Sequence, residues 1–511
     1  MRYAHTVEQV RVAEAELMRR LPEGALMQRA AAGLAATCVE LLGSVYGSRV
    51  VVLAGSGDNG GDALFAGARL AARGARVYAV ALVPERVHGP GLAALRGAGG
   101  VLTDSQEQGV AEIGRADLVV DGITGIGGRG GLRAGALPVA RAVERAARVR
   151  GAVVVAVDVP SGVDADTGEV AGEAVRAAVT VTFGTHKPGL LVDPGAGYAG
   201  VVRLVEIGIG PGAPALESLQ HADVAPLLPR PSALSDKYRR GVVGIAAGSD
   251  RYPGAAVLAV SAALHGGAGA VRYAGSAAAE VVRAHPEVLV TDGGPKAAGR
   301  VQAWVVGPGL SDGQQAERTL EQALAAGVPT LVDADGLRLL ARSEGVQKIG
   351  TPSPSSRMLL LTPHAGEAVA LLAGAGVTAT RDQVEASRLR YARWIAELYG
   401  CTVLLKGSTT VIAGPDPAVP ARVNPTGTSW LATAGSGDVL SGLAGSLLAG
   451  GLAPLDAASV AAYLHGLAGR IASGSGAGAP ITASEVAAAL PAAWRDVTVD
   501  QRNVLSHPVG T

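Results

Sequence analysis

The sequence predicts an α/β protein with mainly parallel sheets, arranged as two domains. Along nearly its whole length, short apolar runs typical of buried strands alternate with Ala-, Arg- and Leu-rich segments of helical pattern. The 511 residues are too many for one hydrophobic core. Many of the 73 glycines follow the apolar runs, where tight turns and phosphate loops require residues without a Cβ.

Five strands are predicted in the first half, each followed by a loop rich in glycine, proline or aspartate. They cover Arg49–Ala54, Ala75–Val83, Asp117–Asp121, Ala152–Asp158 and Val179–Phe183. Helices are predicted between them, at Ala63–Ala72 and Pro138–Val149. Because open α/β sheets bind ligands at the carboxyl ends of their strands, these loops are the expected binding region.

A second series of strands begins after Lys237. Its members are predicted at Gly241–Ala247, Ala303–Val306, Thr330–Asp333, Met358–Leu361, Cys401–Leu405 and Thr410–Ala413. The stretch Ile207–Asp236 between the two series is rich in glycine and proline and has little periodicity, as expected of an interdomain connection. We therefore predict domains at residues 1–212 and 236–505, joined by a linker at residues 213–235.

Composition argues against several classes of function. Net charge is zero and aromatic residues make up 3% of the chain, which disfavours a nucleic-acid partner. The two cysteines lie far apart and the histidines are scattered, so no zinc-ligand spacing occurs. The N-terminal residues lack the apolar core of a signal peptide, and no segment is predicted to span a membrane. We therefore expect a cytoplasmic protein.

The glycine loop after the first strand, Gly55–Asp62, satisfies the GxGxxG pattern of dinucleotide-binding domains. An ordinary nicotinamide dehydrogenase also places an acidic residue at the end of the next strand, to hold the ribose hydroxyls. Ala75–Val83 ends without one. Asp58 and Asp62 would in addition bring negative charge close to a pyrophosphate. A simple dehydrogenase is therefore disfavoured.

Two further loops carry candidate functional groups. The segment 121–130 follows a strand and offers many backbone N–H groups and the guanidinium of Arg129, which suits an anion. Asn59, Asp121 and Ser161 supply oxygen ligands of the kind that a hard cation takes. Structural alternatives exist, since Asp121 could cap a helix and Asp158 could tie down its loop.

Taken together, these loops resemble the N-terminal domain of the NAD(P)H-hydrate repair enzyme family. Thr182–Gly189 and the upstream helix containing Leu26–Gly33 match the same pattern, so that the resemblance covers about residues 6 to 210. The family loop commonly reads Asn-Asn-Gly-Gly-Asp-Gly, whereas here it reads Asp-Asn-Gly-Gly-Asp-Ala at residues 58–63. We expect activity to survive both changes.

The resemblance implies a Rossmann-like three-layer domain that epimerises NAD(P)HX, the hydrated form of NAD(P)H, at ring carbon C6. It implies that Asn59, Asp121 and Ser161 bind a potassium ion. It implies substrate binding by Gly57, Asp58, Asn59, Gly60, Gly61, Gly125, Ile126, Gly127, Gly128, Arg129, Gly130, Gly131 and Asp158. Asp158, a carboxylate at a strand end, is the candidate catalytic residue for general acid–base chemistry. Lys187 is a candidate for electrostatic assistance, although a loop lysine is more often a solvated surface charge.

The second half contains a phosphate-loop pattern at Gly435-Ser436-Gly437-Asp438. Glycines and small residues that open a helix turn backbone N–H groups and the positive helix end toward a ligand's phosphates. Asp438, in the first helical turn, is placed to accept a proton from a substrate hydroxyl. The alternative role for Asp438 is compensation of the helix dipole.

This loop resembles the ribokinase-like superfamily, in which the corresponding aspartate deprotonates a hydroxyl. Further strand-end loops occur in the order found in the ADP-dependent NAD(P)HX dehydratases, and the resemblance spans about residues 235 to 495. It implies that ADP binds at Lys406, Gly407, Ser408, Thr409, Thr410 and Gly437, with magnesium bridging its phosphates. It implies that the hydrated dinucleotide contacts Ala255, Gly309, His364 and Asp438. Glu367 is a candidate magnesium ligand or a helix-cap partner.

Two other functions are compatible with parts of the sequence. A small-alcohol kinase with a regulatory N-terminal domain would not need the Asn59, Asp121 and Ser161 set. A nucleotide-sensing module without turnover would need neither Asp158 nor Asp438. The combined expectation is a bifunctional repair enzyme that epimerises NADHX and NADPHX, dehydrates the S form with ADP, and forms a homo-oligomer. The sequence does not distinguish a preference for NADHX or NADPHX.

Overall fold

The computed structural model describes residues 1–103, 105–343, 358–474 and 477–505. The chain divides into two compact units, Tyr3–Leu216 and the chain from Glu217 onward together with Met1–Arg2. This division lies inside the predicted linker, residues 213–235. Part of that segment forms regular structure, the strand Leu216–Ser218 and the helix His221–Val224. Leu219, Val224 and Leu228 are buried in the core of the second unit.

A seven-stranded sheet forms the centre of the first unit, in the order β4-β3-β2-β5-β6-β7-β8. Its neighbouring strands are all parallel. Strand β1 (Arg2–Ala4) is not a member of this sheet. The sheet's strands are β2 (Arg49–Ala54), β3 (Arg76–Ala81), β4 (Val101–Leu102), β5 (Leu118–Gly122), β6 (Val153–Val157), β7 (Val179–Phe183) and β8 (Val201–Val205). The five predicted strands correspond to β2, β3, β5, β6 and β7. Strand β4 has only two residues, and the charged Arg203 interrupts the apolar run of β8.

Helices cover both faces of this sheet. They are α1 (Val7–Met18), α2 (Ala25–Leu42), α3 (Asp58–Ala71), α4 (Gly89–Gly97), α5 (Gln106–Ile113), α6 (Leu137–Arg150) and α7 (Ala196–Ala199). Helices α2 and α3 pack with Val50 and Val52 on one face, whereas α5 and α6 pack with Val51 and Leu53 on the other. Alternate residues of one strand thus serve two cores, which confirms the predicted three-layer architecture.

Helix α2 is long and apolar enough to cross a membrane by length and composition alone. Its residues Leu34 and Cys38 are fully buried in the core beside the sheet. The core helix of a globular domain has the same character. The sequence analysis predicted no membrane span, whereas α2 passes the test of length and composition. In this unit the helix packs in the core beside the sheet.

The second unit is built on a mixed sheet. Its strands are β9 (Leu216–Ser218), β10 (Val242–Ala246), β11 (Ala270–Ala274), β12 (Leu289–Thr291), β13 (Ala303–Val306), β14 (Thr330–Val332), β15 (Leu359–Leu361), β16 (Thr402–Leu405), β17 (Thr410–Ala413) and β18 (Ala421–Asn424). They run in the order β9-β18-β17-β16-β15-β14-β13-β10-β11-β12. From β12 to β16 the neighbours are parallel, and β16, β17 and β18 are antiparallel. The predicted strands Cys401–Leu405 and Thr410–Ala413 correspond to β16 and β17, which form a hairpin.

The helices of the second unit surround this sheet. They are α8 (His221–Val224), α9 (Pro253–His265), α10 (Ala278–Ala284), α11 (Gln314–Leu324), α12 (Asp335–Arg342), α13 (Ala365–Gly374), α14 (Arg381–Ala386), α15 (Arg388–Tyr399), α16 (Ser436–Ala449), α17 (Pro454–Ser473) and α18 (Ala483–Leu505). Helices α9, α16, α17 and α18 share one core with Ile245, Leu331 and Leu404 of the sheet. Strand β11 was missed by sequence reasoning because the charged Arg272 interrupts its apolar run.

Candidate active sites

The strand order of the first unit reverses between β2 and β5, and the predicted loops lie at the carboxyl ends of these strands. Helix α3 begins at Asp58 with Gly57 as its N-cap, so Asp58–Asp62 are helical. The prediction that this helix starts at Ala63 was wrong, because its first turn contains the two glycines at 60 and 61, which sequence reasoning assigned to the loop. A Cβ on Gly60 would lie 2.4 Å from the carbonyl oxygen of Gly55. Only glycine permits this close approach.

Asp121 and Ser161 meet at the ends of β5 and β6. The Ser161 hydroxyl donates to Asp121 Oδ1 at 2.7 Å, and the Ser161 amide donates to Oδ2 at 2.9 Å. Burial raises the pKa of Asp121 to about 6, although the hydrogen bonds from Ser161 lower it. Asn59 lies beside the same loop, since a Cβ on Gly125 would be 2.8 Å from Asn59 Oδ1. Within the described part of the chain, the buried Nδ2 of Asn59 has no hydrogen-bond partner.

The segment after β5 contains the remaining predicted anion-binding residues. The backbone has positive φ at Gly130 and Gly131, 78° and 81°, which suits residues without a side chain. Arg129 is exposed at the tip of the segment, and Gly127 lies close to the guanidinium of Arg11. The backbone of residues 125–131, which include Ile126 and Gly128, therefore lies at the sheet edge. The resemblance to the family implies that the substrate binds there.

Asp158 follows β6 with a φ of 65°, in the left-handed region that non-glycine residues rarely adopt. Such strain costs on the order of 1–3 kcal/mol and occurs mainly at functional positions. The Asp158 carboxylate forms an ion pair with Lys187. The Lys187 side chain is 1% exposed and also donates to Thr182 Oγ1 and the Phe183 carbonyl, both at 3.0 Å. Lys187 is therefore a buried partner of Asp158, and the reading of a solvated surface lysine was wrong.

Further carboxylates surround Asp158, and sequence reasoning did not bring them together. Burial raises the pKa of Asp62 well above its usual range, and the negative charges of Asp158, Asp58 and Glu14 raise it further. The pKa of Glu14 is raised by burial and by Asp158. Glu14 lies on α1, about 140 residues away in the sequence, and an isolated glutamate in a helix carries no signal of such a role.

In the second unit, the strand order reverses between β10 and β13. The loops that follow these strands bring Ala255 and Gly309 together, because a Cβ on Gly309 would lie 2.8 Å from the Ala255 Cβ. Gly309 has a φ of 62°, which favours glycine. The two residues that the resemblance assigns to the dinucleotide thus meet at the expected point of the sheet.

The phosphate-loop pattern forms the start of α16. The helix begins at Ser436, Gly435 is its N-cap with a φ of 86°, and Asp438 lies in the first turn, as predicted. Burial raises the pKa of Asp438 to about 7, and the negative charge of Asp333 adds to this effect against the charge of Lys406. An aspartate with this pKa is a stronger base than an ordinary one.

Lys406 lies beside this helix start. Its Nζ donates to Asp333 Oδ1 at 2.7 Å and lies 3.6 Å from Glu367 Oε2. A Cβ on Gly437 would be 3.5 Å from the same Nζ. Burial lowers the pKa of Lys406, but Asp333 and Glu367 outweigh it and the pKa is raised. A charged amine and the N-terminus of α16 therefore face the same space, as an anion site requires.

The turn that follows Lys406 holds the other predicted nucleotide contacts. Gly407 and Ser408 are exposed, and Thr409 and Thr410 are half-buried. A Cβ on Gly407 would lie 1.8 Å from Nη1 of Arg388, and this Nη1 donates to the Lys406 carbonyl at 3.2 Å. Sequence reasoning missed Arg388, which begins α15 and carries no motif of its own.

His364 is the N-cap of α13. Its Nδ1 accepts from the Glu367 amide at 3.1 Å, and Glu367 Oε2 accepts from the His364 amide at 2.8 Å. Glu367 is thus a cap partner, one of the two roles predicted for it. His465 on α17 was missed because it is an isolated histidine within a helix. It is buried, and burial lowers its pKa to about 4.

Together the two units define a class of protein. The first is a parallel α/β domain with its candidate groups at the strand-order reversal, and the second is an α/β domain with a carboxylate in the first turn of a helix that opens with glycines. Residues 243–491 match the family model described as NAD(P)H-hydrate dehydratase. Residues 23–189 match the model of the YjeF-related protein N-terminus.

Relatives of nearly the same length share both units. The bifunctional NAD(P)H-hydrate repair enzyme Nnr of Mycobacterium leprae is 47% identical over 470 residues, which cover 91% of this chain and 93% of the relative. That of Mycobacterium tuberculosis is 48% identical, covering 90% and 92%. An ADP/ATP-dependent NAD(P)H-hydrate dehydratase from Bacillus subtilis, crystallised with ATP and Mg²⁺, matches 54% of this chain and 97% of its own, with 29% identity and a TM-score of 0.48. The chain belongs to the family of bifunctional NAD(P)H-hydrate repair enzymes.

Proposed function

We propose that this chain repairs hydrated nicotinamide nucleotides. Its first unit epimerises the R and S forms of NAD(P)HX at C6, and its second unit dehydrates the S form to NAD(P)H with ADP, giving AMP and phosphate. The observation that carries the proposal is the meeting of Asp438, Lys406 and Gly437 at the start of α16. Family membership, shown by relatives that cover both units, supports the same activities.

The dehydratase reaction begins with phosphoryl transfer. Asp438 accepts the proton of the C6 hydroxyl, whose oxygen forms a bond to the β-phosphorus of ADP. The bond from that phosphorus to the α,β-bridging oxygen breaks, and AMP leaves. Lys406 and the backbone N–H groups at the start of α16 stabilise the negative charge of the transferring phosphoryl group.

Elimination then restores the dihydronicotinamide. The lone pair of the ring nitrogen expels phosphate as the bond from C6 to oxygen breaks, and loss of a proton from C5 forms the C5–C6 double bond. Phosphate is a better leaving group than hydroxide, which is the reason for using kinase chemistry. We assign the dinucleotide to the side of Ala255, Gly309 and His364, and ADP to the turn from Lys406 to Thr410.

Magnesium would neutralise the nucleotide phosphates during this transfer. Mg²⁺ commonly keeps several waters and binds through one or two carboxylates together with substrate phosphates. Among the described residues no group of three or more His, Cys, Asp and Glu side chains could hold a metal ion. We therefore propose that magnesium enters with ADP, bound chiefly by its phosphates.

In the epimerase reaction, Asp158 in its protonated form donates its proton to the C6 hydroxyl, which leaves as water while the lone pair of the ring nitrogen forms a double bond to C6. Water then adds to C6 on the opposite face, and the proton that it loses returns to the Asp158 carboxylate. The buried ion pair with Lys187 orients the Asp158 carboxylate. The raised pKa of Asp62 favours its protonated form. One proton is therefore held among the neighbouring carboxyl groups of Asp62, Asp158 and Glu14.

Potassium fits the first unit through Asn59, Asp121 and Ser161. Carboxylate, amide and hydroxyl oxygens are the ligands that hard cations take. Asn59 would contribute its amide oxygen Oδ1, which lies beside Gly125 of the same loop, because its Nδ2 is a donor and cannot bind a cation. When bound, the ion would supply positive charge beside the substrate's phosphate-binding loops.

The remaining expectations are part of the proposal. We propose domains at 1–212 and 236–505, a cytoplasmic location and a homo-oligomeric state. Light scattering of the purified chain measures the oligomeric state, and fractionation of the producing cells measures the location.

The test of function uses an R and S mixture of hydrated NADH with ADP and magnesium. We expect the near-ultraviolet absorbance of dihydronicotinamide to recover for both epimers, and AMP to form in equal amount. Without ADP, only interconversion of the epimers is expected. Recovery of the S form alone would contradict the epimerase assignment, and no ADP-dependent recovery would contradict the dehydratase assignment.

A further inference from the structure

Asp333 lies at the centre of the second site, but the reaction above gives it no role. It follows β14 and is 1% exposed. Its Oδ1 accepts from Lys406 Nζ at 2.7 Å, and its Oδ2 accepts from the Ser441 hydroxyl at 2.6 Å. One carboxylate therefore joins the end of β14, the turn after β16 and the second turn of α16.

We propose that Asp333 is a positioning residue of the dehydratase site, which holds Lys406 beside the start of α16 and keeps a fixed negative charge near the base Asp438. The proposal rests on the dehydratase function proposed above and deepens it. Asp333 acts through Lys406 and Asp438, and no chemical step is assigned to it.

The position of the ion pair supports the first part of this proposal. A Cβ on Gly437 would lie 3.5 Å from Lys406 Nζ and 3.9 Å from Asp333 Oδ2. The pair thus lies along the backbone to which the transferring phosphoryl group would bind. A buried lysine that loses its partner is strongly disfavoured. Without Asp333, the amine would keep Glu367 at 3.6 Å and the attraction of Asp438, but it would lose its closest hydrogen-bond acceptor and be less firmly held at the helix start.

The charges around Asp438 support the second part. The charged groups that act on it are Asp333 in the loop after β14, Asp335 at the start of α12, Glu367 in the first turn of α13, and Lys406 in the turn after β16. After burial, Asp333 is the largest cause of the raised pKa of Asp438. The negative charge of Asp333 therefore makes Asp438 a stronger base near neutral pH.

His465 on α17 lies near the same groups but adds no competing charge. Burial lowers its pKa to about 4, so that the imidazole is neutral at the pH of the assay. The electrostatic effect on Asp438 therefore comes from the carboxylates and from Lys406.

Asp333→Asn tests both parts in the full-length chain. In the Lys406→Met background, where no displaced amine can offset the effect, the acidic limb of the dehydratase pH–rate profile should move to lower pH, because Asp438 loses a neighbouring negative charge. In the otherwise wild-type chain, kcat above the limb should fall at least about tenfold, because Lys406 is less well held. An unmoved midpoint in the Lys406→Met background would overturn the proposal, since a merely structural role lowers kcat without shifting the limb.

Ser441→Ala is the matched control. It removes one hydrogen bond to Asp333 and leaves every charge in place, so the midpoint should stay at its wild-type pH. A shift in this variant as large as that of Asp333→Asn would show that the limb responds to disturbed packing, and would contradict the proposal.

Two further variants test the role of Asp333 if Asp333→Asn does not fold. Asp333→Glu keeps the charge and should keep the midpoint while kcat falls. Lys406→Met removes the opposing charge and should move the midpoint to higher pH. A midpoint that does not move in Lys406→Met would contradict the proposal. If the wild-type chain itself shows no ADP-dependent dehydration, the proposed function fails. If only the expected shifts are missing, the role of Asp333 fails alone.

Discussion

The buried pair of Lys187 and Asp158 allows a prediction of stability. The change is Lys187→Met, which keeps most of the side-chain volume and removes the charge. The Lys187 side chain is 1% exposed and that of Asp158 is 11% exposed, so neither charge is well solvated. The amine also donates to Thr182 and Phe183 at 3.0 Å.

Lys187→Met leaves the Asp158 carboxylate buried without its positive partner. It also leaves Thr182 Oγ1 and the Phe183 carbonyl without the amine that donated to them. Removal of one partner from a buried ion pair costs about 3–5 kcal/mol. We expect the first unit of Lys187→Met to be destabilised by that amount. Urea denaturation followed by pulse proteolysis of the first unit measures it, because this readout does not require the catalytic Asp158 or its partner Lys187.

Arg141→Met is the control, because its ion pair with Glu173 is exposed on both sides. Exposed pairs contribute little, so no comparable change is expected. The double variant of Lys187→Met with Asp158→Asn should recover part of the lost stability, since it leaves no unpaired charge. The reasoning is refuted if Lys187→Met is as stable as Arg141→Met.

Three other predictions concern the dehydratase. Asp438→Asn should lower ADP-dependent dehydration by about 10²–10⁴-fold and leave epimerisation unchanged; a fully active variant would exclude Asp438 as the base. The wild-type rate should fall as the pH drops below about 7, because the raised pKa of Asp438 leaves it protonated there and unable to accept a proton; a rate that stays flat down to pH 5 would contradict this. Gly407→Ala should weaken ADP binding, measured by calorimetry, because its Cβ would overlap Arg388, whereas Gly414→Ala, whose Cβ meets nothing within 4 Å, should bind normally.

The sequence by itself was sufficient for features that depend on local pattern. The apolar runs predicted the central strands of both sheets because a strand buried on both faces reads as a continuous apolar segment. The helix start at Ser436 was predictable because its glycines and its first-turn aspartate form a local signal. In the edge strand Val201–Val205 the charged Arg203 interrupts the run, and the strand was missed for that reason.

The tertiary structure alone decided which side chains meet and which are buried. Lys187 has the sequence context of a surface loop, yet the fold seals it against Asp158. Asp333 and Lys406 are 73 residues apart, and only the adjacency of parallel strand ends brings their charges within hydrogen-bond distance. Burial and neighbouring charge then set the proton affinity of Asp438, which no local pattern contains, because both depend on residues distant in the chain.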